Sequence, residues 1–443
     1  MTTKRKILIA LVVILISGLG YGFNFGLRYA NIATSYASKT VCSCMFVSGR
    51  DFNNIKSEDL YAVPYVNVNV DEKNHVITSD IYGLAKAKAI YRPGFGCTLV
   101  NGSDEQELRA QSALNIIENA SGLQELPVAP LPLNMDSAGF YIAINKAFAE
   151  DNQSQIKRTR AVIVLLDGKI IAEKYAPGIT QTTPLLGWSM TKSVTNAMIG
   201  ILVLDKILEI NTPAPVKEWQ NDSRKNITIN NLLRMSSGLE FVENYSKPCD
   251  ATQMLFQEKS CGNYAIQSKA GTAPGVVYYY SSGTANILQE IIRRQFAEHA
   301  DYLSFPHNRL FRRIGMRSAV LEPDASGTYI GSSFMYATAR DWTKFGQLYL
   351  QDGLWNGERI LPEGWAKYSG TETPNSGGRY AAHFWVNHVD KDFPQDAFYA
   401  DGFEGQNITI IPSKKMVIVR LGCTQGNYFD NTAFVKEIVK SLK

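Results

Sequence analysis

Ser189 and Lys192 stand three residues apart at the head of an apolar run, Val194 to Leu204. On a helix, positions i and i+3 share one face a turn apart, so the amine can reach the hydroxyl. A serine hydroxyl is a poor nucleophile until a base takes its proton, and a lysine serves as that base where burial and nearby positive groups lower its pKa towards neutrality. The helix start adds backbone N–H groups and a positive dipole end where an attacked carbonyl develops negative charge. The spacing alone is common: Ser154 and Lys157 repeat it inside the hydrophilic stretch from Asp151 to Arg160. An ordinary serine N-cap followed by an exposed lysine gives the same pattern.

Further along, Tyr278-Tyr279-Tyr280-Ser281-Ser282-Gly283 precedes a second apolar helical run, Ala285–Ile292. Between the two lies Ile227-Thr228-Ile229-Asn230-Asn231-Leu232-Leu233-Arg234-Met235-Ser236-Ser237-Gly238-Leu239. After them come Thr338-Ala339-Arg340-Asp341-Trp342, Gly353-Leu354-Trp355-Asn356-Gly357 and Ile360-Leu361-Pro362. In this order the motifs resemble those of the serine β-lactamase-like hydrolases, which include class C β-lactamases, D-Ala-D-Ala peptidases, esterases and 6-aminohexanoate-dimer hydrolases. Gly402-Phe403-Glu404-Gly405-Gln406 is most similar to the last branch. Residues 135–443 carry the resemblance.

The resemblance implies Ser189 as the acylated nucleophile, Lys192 as its base and Tyr280 as a proton relay. A phenol beside an ammonium is expected to have a lowered pKa, which suits that role. The backbone N–H of Phe403 would join that of Ser189 in an oxyanion hole, with Gly405 as the alternative if the register slips by two. Gly402, Ser282 and Tyr245 are candidate substrate contacts. Two departures shape the expected substrate. Ser282 replaces the asparagine of the usual Tyr-x-Asn motif and removes a side-chain amide. Ala400-Asp401-Gly402 occupies the place of Lys-Thr-Gly, so the cation that pairs with a β-lactam carboxylate gives way to an acid. β-Lactamase or D-Ala-D-Ala carboxypeptidase activity therefore ranks below cleavage of an amide or ester in a small-molecule or short peptide-like substrate. A non-catalytic protein that binds peptidoglycan or peptides in the same cleft is the alternative from another class. No cofactor is implied, and the five histidines are scattered without ligand spacing, so no metal is expected.

These side chains need a frame. Hairpins are expected at Ala161–Leu166 with Ile170–Tyr175, joined by Asp167-Gly168, and at Asn407–Ile411 with Met416–Leu421. A helix near Ala138–Glu150 precedes the first, and a helix over Ala433–Leu442 follows the second. Hairpins at both ends of a helix-rich stretch give an α/β (α+β) domain. One antiparallel sheet is built from its two ends and flanked by helices, and a helical subdomain lies between, the β-lactamase/transpeptidase-like plan. Residues 29–134 form an N-terminal extension with short β-like runs at Tyr65–Val70 and His75–Thr78. Gln124 to Leu133, with three prolines, reads as a stiff connection.

The chain has 443 residues, 45% hydrophobic and 19% charged, a globular composition. Its net charge of +4 lies wholly in residues 1–28, at Lys4, Arg5, Lys6 and Arg28, which leaves a neutral body with no footprint for nucleic acid. The charge-free run Ile7 to Phe25 after three cations reads as a signal anchor that places the rest in the periplasm or outside the cell, tethered to the inner (cytoplasmic) membrane. Ser35-Tyr36-Ala37 is a cleavage site candidate that would release the protein instead. Gly18, Gly22 and Gly26 carry a small-xxx-small spacing, a weak signal for helix pairing; oligomeric state is not legible. Six cysteines in an exported chain favour disulfides; Cys249 with Cys261 would close a short loop and Cys97 could pair with Cys42 or Cys44, but six cysteines allow 15 connectivities and the sequence does not choose among them.

Overall fold

In the computed structural model the described residues are 2–111, 114, 125–150, 154–426 and 428–442. Gln124, at the head of the proline-rich connection, and residues 151–153 of the hydrophilic stretch lie outside them. Helix α1 is continuous from Thr3 to Phe46. Its first half touches nothing: Ile7, Leu11, Ile14, Leu19 and Phe23 are exposed. From Ala33 the sequence turns to small residues, and Ala33, Ala37, Ser38, Val41 and Cys42 are buried. Small side chains let the helix backbone approach a four-stranded antiparallel sheet, β1 Asn67–Asp71, β2 Val76–Ile81, β3 Ala85–Arg92 and β4 Gly96–Leu99. A Cys42–Cys97 disulfide joins α1 to β4. Cys44, Cys249, Cys261 and Cys423 are free thiols. The expected Cys249–Cys261 bond is absent because each thiol has a local partner. Cys249 sits at the N-cap of the helix Asp250–Phe256 with its sulfur 3.7 Å from the Thr252 hydroxyl, and Cys261 donates to the Met254 carbonyl at 3.2 Å.

Helix α2, Ser137–Phe148, leads to strands β5, Thr159–Leu166, and β6, Lys169–Tyr175. Helix α3, Met190–Leu204, and helix α4, Ser282–Arg293, form the centre of the helical half, and α5, Ala339–Leu350, returns to the sheet. Strands β7, Trp385–Val386, β8, Phe398–Gly402, β9, Gln406–Ile411, and β10, Met416–Gly422, precede the closing helix α6, Asn431–Lys440. The main sheet has six strands in the order β7-β8-β9-β10-β5-β6, so the first and last hairpins of the domain meet at the β10–β5 pair. Alternation along β5 sends Val162 and Val164 towards α2 and α6, and Ile163 and Leu165 to the core shared with α3 and α5. Both faces are covered, which explains why the central strands β5 and β10 are almost continuously apolar rather than alternating.

Ala37, Val41 and Leu99 belong to the same continuous core as Trp219, Phe311 and Trp342, so the N-terminal sheet and the helical half share one interior. The bond between them is ionic. Lys39 on α1 pairs with Glu322, both fully enclosed, and Glu322 also accepts from Ser43 Oγ at 2.8 Å and from the Cys97 backbone N–H at 2.6 Å. Removing one partner leaves the other charge buried and alone, a loss of about 3–5 kcal/mol. Glu322→Ala and Lys39→Ala are each expected to lower the denaturation midpoint by that order, and a change below about 1 kcal/mol would contradict the role given to the pair.

Candidate active site

The turn into α3 is fixed from two sides. Leu185–Leu186 pairs with Met335–Ala337, and the Gly187 N–H donates to the Met335 carbonyl at 2.8 Å. The end of β8 presses on the same turn: a Cβ on Gly402 would stand 2.2 Å from the Gly187 carbonyl oxygen, so only glycine fits there. Trp188 is held at φ +46°, a left-handed conformation that a bulky residue adopts only when its surroundings impose it. Its ring supplies the reason. The indole N–H donates to Glu404 at 3.2 Å and the ring packs edge-on to Phe403 at 5.8 Å. Burial pushes the Glu404 carboxyl up to about 7.

Ser189 follows as the first half-turn of α3, and its hydroxyl makes no capping bond to the helix. That overturns the ordinary N-cap pattern and leaves the oxygen free. Lys192, 1% exposed, donates to Ser189 Oγ at 3.0 Å, to Ser282 Oγ at 3.1 Å and to the Ser332 carbonyl at 3.0 Å. Three acceptors satisfy the three N–H bonds of an ammonium, and none of them is charged. Burial lowers the Lys192 pKa to about 8, with the Glu243 carboxylate pulling the other way.

Tyr280 lies against this amine, whose nitrogen stands 4.9 Å from the ring centroid. Trp385 and Tyr380 pack on the other sides at 5.2 and 5.7 Å. The expected lowering of the phenol pKa does not occur. Burial drives it well above the ordinary tyrosine value, and the neighbouring Ser189 offsets that only in part. Tyr280 is therefore a protonated hydrogen-bond donor in the resting state, and Lys192 is the group able to accept a proton near neutrality.

Ser282 is not a substrate contact in this geometry. It is fully buried at the head of α4 and bridges Lys192 to Glu243, donating to Glu243 Oε1 at 2.6 Å while its backbone N–H donates to Oε2 at 2.9 Å. Tyr245 donates to the same carboxylate at 2.8 Å. The short serine, in place of an amide, is what allows a carboxylate to reach in from the 239–247 loop. Glu243 escaped the sequence reading because a single acid in a polar loop carries no spacing signal. Its position two residues before Tyr245 becomes informative only once both side chains meet Ser282.

Ser189, Tyr280, Tyr245, Glu243 and Phe403 line one cavity of about 240 Å³. Gly402 stands behind it, where its backbone touches the turn before Ser189. Gly405 is not among the residues that line the cavity: at φ +80° it lies against Arg420, which donates to its carbonyl at 2.9 Å. Asp401 accepts from Asn407 at 3.1 Å, and burial raises its pKa to about 6. His383 supports the site from behind, Nδ1 lying 2.9 Å from the Lys192 carbonyl, and burial lowers its pKa to about 3. Among the described residues no cluster of three His, Cys, Asp or Glu side chains converges as metal ligands would.

A family described as Beta-lactamase matches residues 144–434, well over half of the chain. The chain belongs to the Beta-lactamase family. A 6-aminohexanoate-dimer hydrolase from Paenarthrobacter ureafaciens is 22% identical over 295 residues, 59% of this chain and 72% of that protein. A solved structure from Bacillus anthracis with a provisional 6-aminohexanoate-dimer hydrolase assignment superposes with a TM-score of 0.60 at 23% identity, covering 74% of this chain and 90% of the other. A penicillin-binding protein homologue from Caulobacter crescentus gives 0.54 at 14% identity over 71% and 99%. At these identities the solved structures establish the fold: helices on both faces of an antiparallel sheet, as the order of hairpins and helices implied. Family membership and this relative make the chain a serine β-lactamase-fold hydrolase by descent.

The pKa of Lys192 gives a direct test. Acylation of Ser189 by a fluorophosphonate is expected to accelerate as pH rises through about 8, where the amine loses its proton. Since Glu243 holds that pKa up, Glu243→Gln should shift the rise to lower pH. A flat profile between neutral and alkaline pH would exclude Lys192 as the base.

Proposed function

We propose that this protein is an exported, membrane-anchored serine hydrolase that cleaves an amide or ester through an acyl-enzyme on Ser189. The observation that carries the reading is the buried Lys192 amine, 3.0 Å from Ser189 Oγ with a pKa near 8. Deprotonated Lys192 takes the Ser189 proton as Oγ bonds to the substrate carbonyl carbon. The resulting oxyanion is received by the backbone N–H groups of Ser189 and Phe403, a contribution of about 10²–10³ in rate for one such donor. Collapse breaks the bond to the amine or alcohol, which leaves with the proton handed from Lys192 through Tyr280. Water then attacks the ester carbon as Lys192 takes its proton, and collapse breaks the bond to Oγ, which receives that proton from Lys192 as the carboxylic acid departs.

An amide or ester is favoured over a β-lactam because Asp401 occupies the usual cation position, where a substrate carboxylate would meet an acid instead of a lysine. Residues 135–443 are assigned as the hydrolase domain and 29–134 as a unit packed against it. Residues 1–28 are read as an inner-membrane anchor with the body in the periplasm or outside the cell. Retention of the anchor is supported by α1 itself, since the cleavage candidate ends at Ala37, buried in mid-helix against the sheet.

Ser189→Ala is expected to abolish fluorophosphonate labelling and to lower turnover of p-nitrophenyl acetate by about 10³-fold or more. Lys192→Met and Tyr280→Phe should each cost about 10²–10⁴-fold. Undiminished turnover in Ser189→Ala, or labelling at another serine, would overturn the assignment.

A further inference from the structure

We infer that the substrate of this site is an amphiphile, an ester or amide carrying a long alkyl chain, taken up directly from the bilayer in which α1 is anchored. This rests on the proposed hydrolase and deepens it. The cavity that holds Ser189 is walled on one side by α1 itself, through Tyr29, Ile32, Ala33 and Tyr36, and on the other by Leu255 and Phe256. These are the residues that follow the charge-free run ending at Phe25 on the same uninterrupted helix. At ~1.5 Å per residue, Tyr29 lies about 6 Å and Tyr36 about 16 Å beyond Phe25 along the axis. The cavity therefore begins at the height of the headgroups and ends a short distance above them.

The chemistry of the wall matches that position. Tyr29, Tyr245 and Phe403 are 44%, 54% and 56% exposed around the cavity, large aromatic surfaces of the kind that settle at a membrane–water interface. Deeper in, the polar atoms are already engaged. Tyr36 donates to the Asp59 carbonyl at 3.1 Å, and Glu243, Ser282 and Tyr245 satisfy one another. Apart from Lys247, an exposed cation on the same lining, what they leave for a ligand is aliphatic and aromatic surface beside a nucleophile, which binds an alkyl chain. The chemical step is that given above: the acyl carbon passes to Ser189 Oγ and then to water, and the alcohol or amine leaves with the proton.

The test uses the full-length protein reconstituted in phosphatidylcholine vesicles. Turnover is followed with p-nitrophenyl acetate, octanoate and myristate, with acetate esters of the matching n-alkanols to place the chain on the leaving side, and with a non-exchanging fluorogenic glycerolipid. One methylene fully buried corresponds to about fourfold in kcat/KM (~0.8 kcal/mol), so acetate to octanoate should rise by at least about tenfold in one of the two series. The glycerolipid should be cleaved when it shares vesicles with the protein and not when it is supplied in separate ones. Ile32→Trp and Ala33→Leu should each reduce the octanoate-to-acetate ratio by about tenfold, a ratio that partial misfolding leaves unchanged. A flat chain-length profile in both series, or equal cleavage of lipid in the same and separate vesicles, overturns the inference while acetate turnover upholds the hydrolase. Failure of acetate turnover together with failure of Ser189 labelling overturns the hydrolase, and this inference with it.

Discussion

The site depends on an ammonium group held in the protein interior by three neutral acceptors. Lys192 meets two serine hydroxyls and one peptide carbonyl, so its hydrogen bonds are complete while its charge is only distantly balanced. Burial then favours the neutral amine, and the Glu243 carboxylate, one hydroxyl removed, limits how far the pKa falls. A direct salt bridge would have kept the lysine charged and useless as a base. With no carboxylate at all, burial would lower the pKa of the amine further and make it a weaker acceptor for the Ser189 proton. Ser282 sets this balance by standing between the two.

Much of the fold can be understood as what keeps that amine dry and aimed. Helix α3 is buried from Met190 to Leu202, and its polar side chains are hydrogen-bonded inside: Ser193 to the His383 carbonyl at 2.7 Å and Asn196 to the Ala382 carbonyl at 2.8 Å. The strand end at Gly402, the short pairing of Leu185–Leu186 and the left-handed Trp188 fix the turn that delivers Ser189. Strain at Trp188 persists because its indole is trapped between Glu404 and Phe403, residues from the far end of the chain. The sheet that joins the two ends of the domain is thus also the device that closes the site.

Helix α1 meets two environments along one rod. Its first half presents large aliphatic side chains in every direction, as a helix in hydrocarbon does. Its second half carries small and hydroxyl side chains that admit the close approach of β2, β3 and β4. Lys39 and Glu322 lock the second half to the catalytic core, and the disulfide to Cys97 locks it to the sheet. Orientation of the cavity relative to the exposed half of the helix is therefore a rigid property of the fold.

The sequence by itself determined the main elements of residues 135–443 and the meeting of Ser189 with Lys192. Strand and helix periodicities at 161–175, 407–421 and 433–442, and the i, i+3 placement of Ser189 and Lys192, are local features, and local features are written in neighbouring residues. What the tertiary structure decided was every quantity that depends on distant groups meeting. Burial, rather than the neighbouring ammonium, sets the Tyr280 phenol; Gly405 turns to Arg420 instead of the cavity; Cys249 and Cys261 find separate partners; Glu243 reaches Ser282 from a loop. Each is a balance of desolvation against contacts between segments far apart in the chain, and such a balance has no signature in spacing or composition.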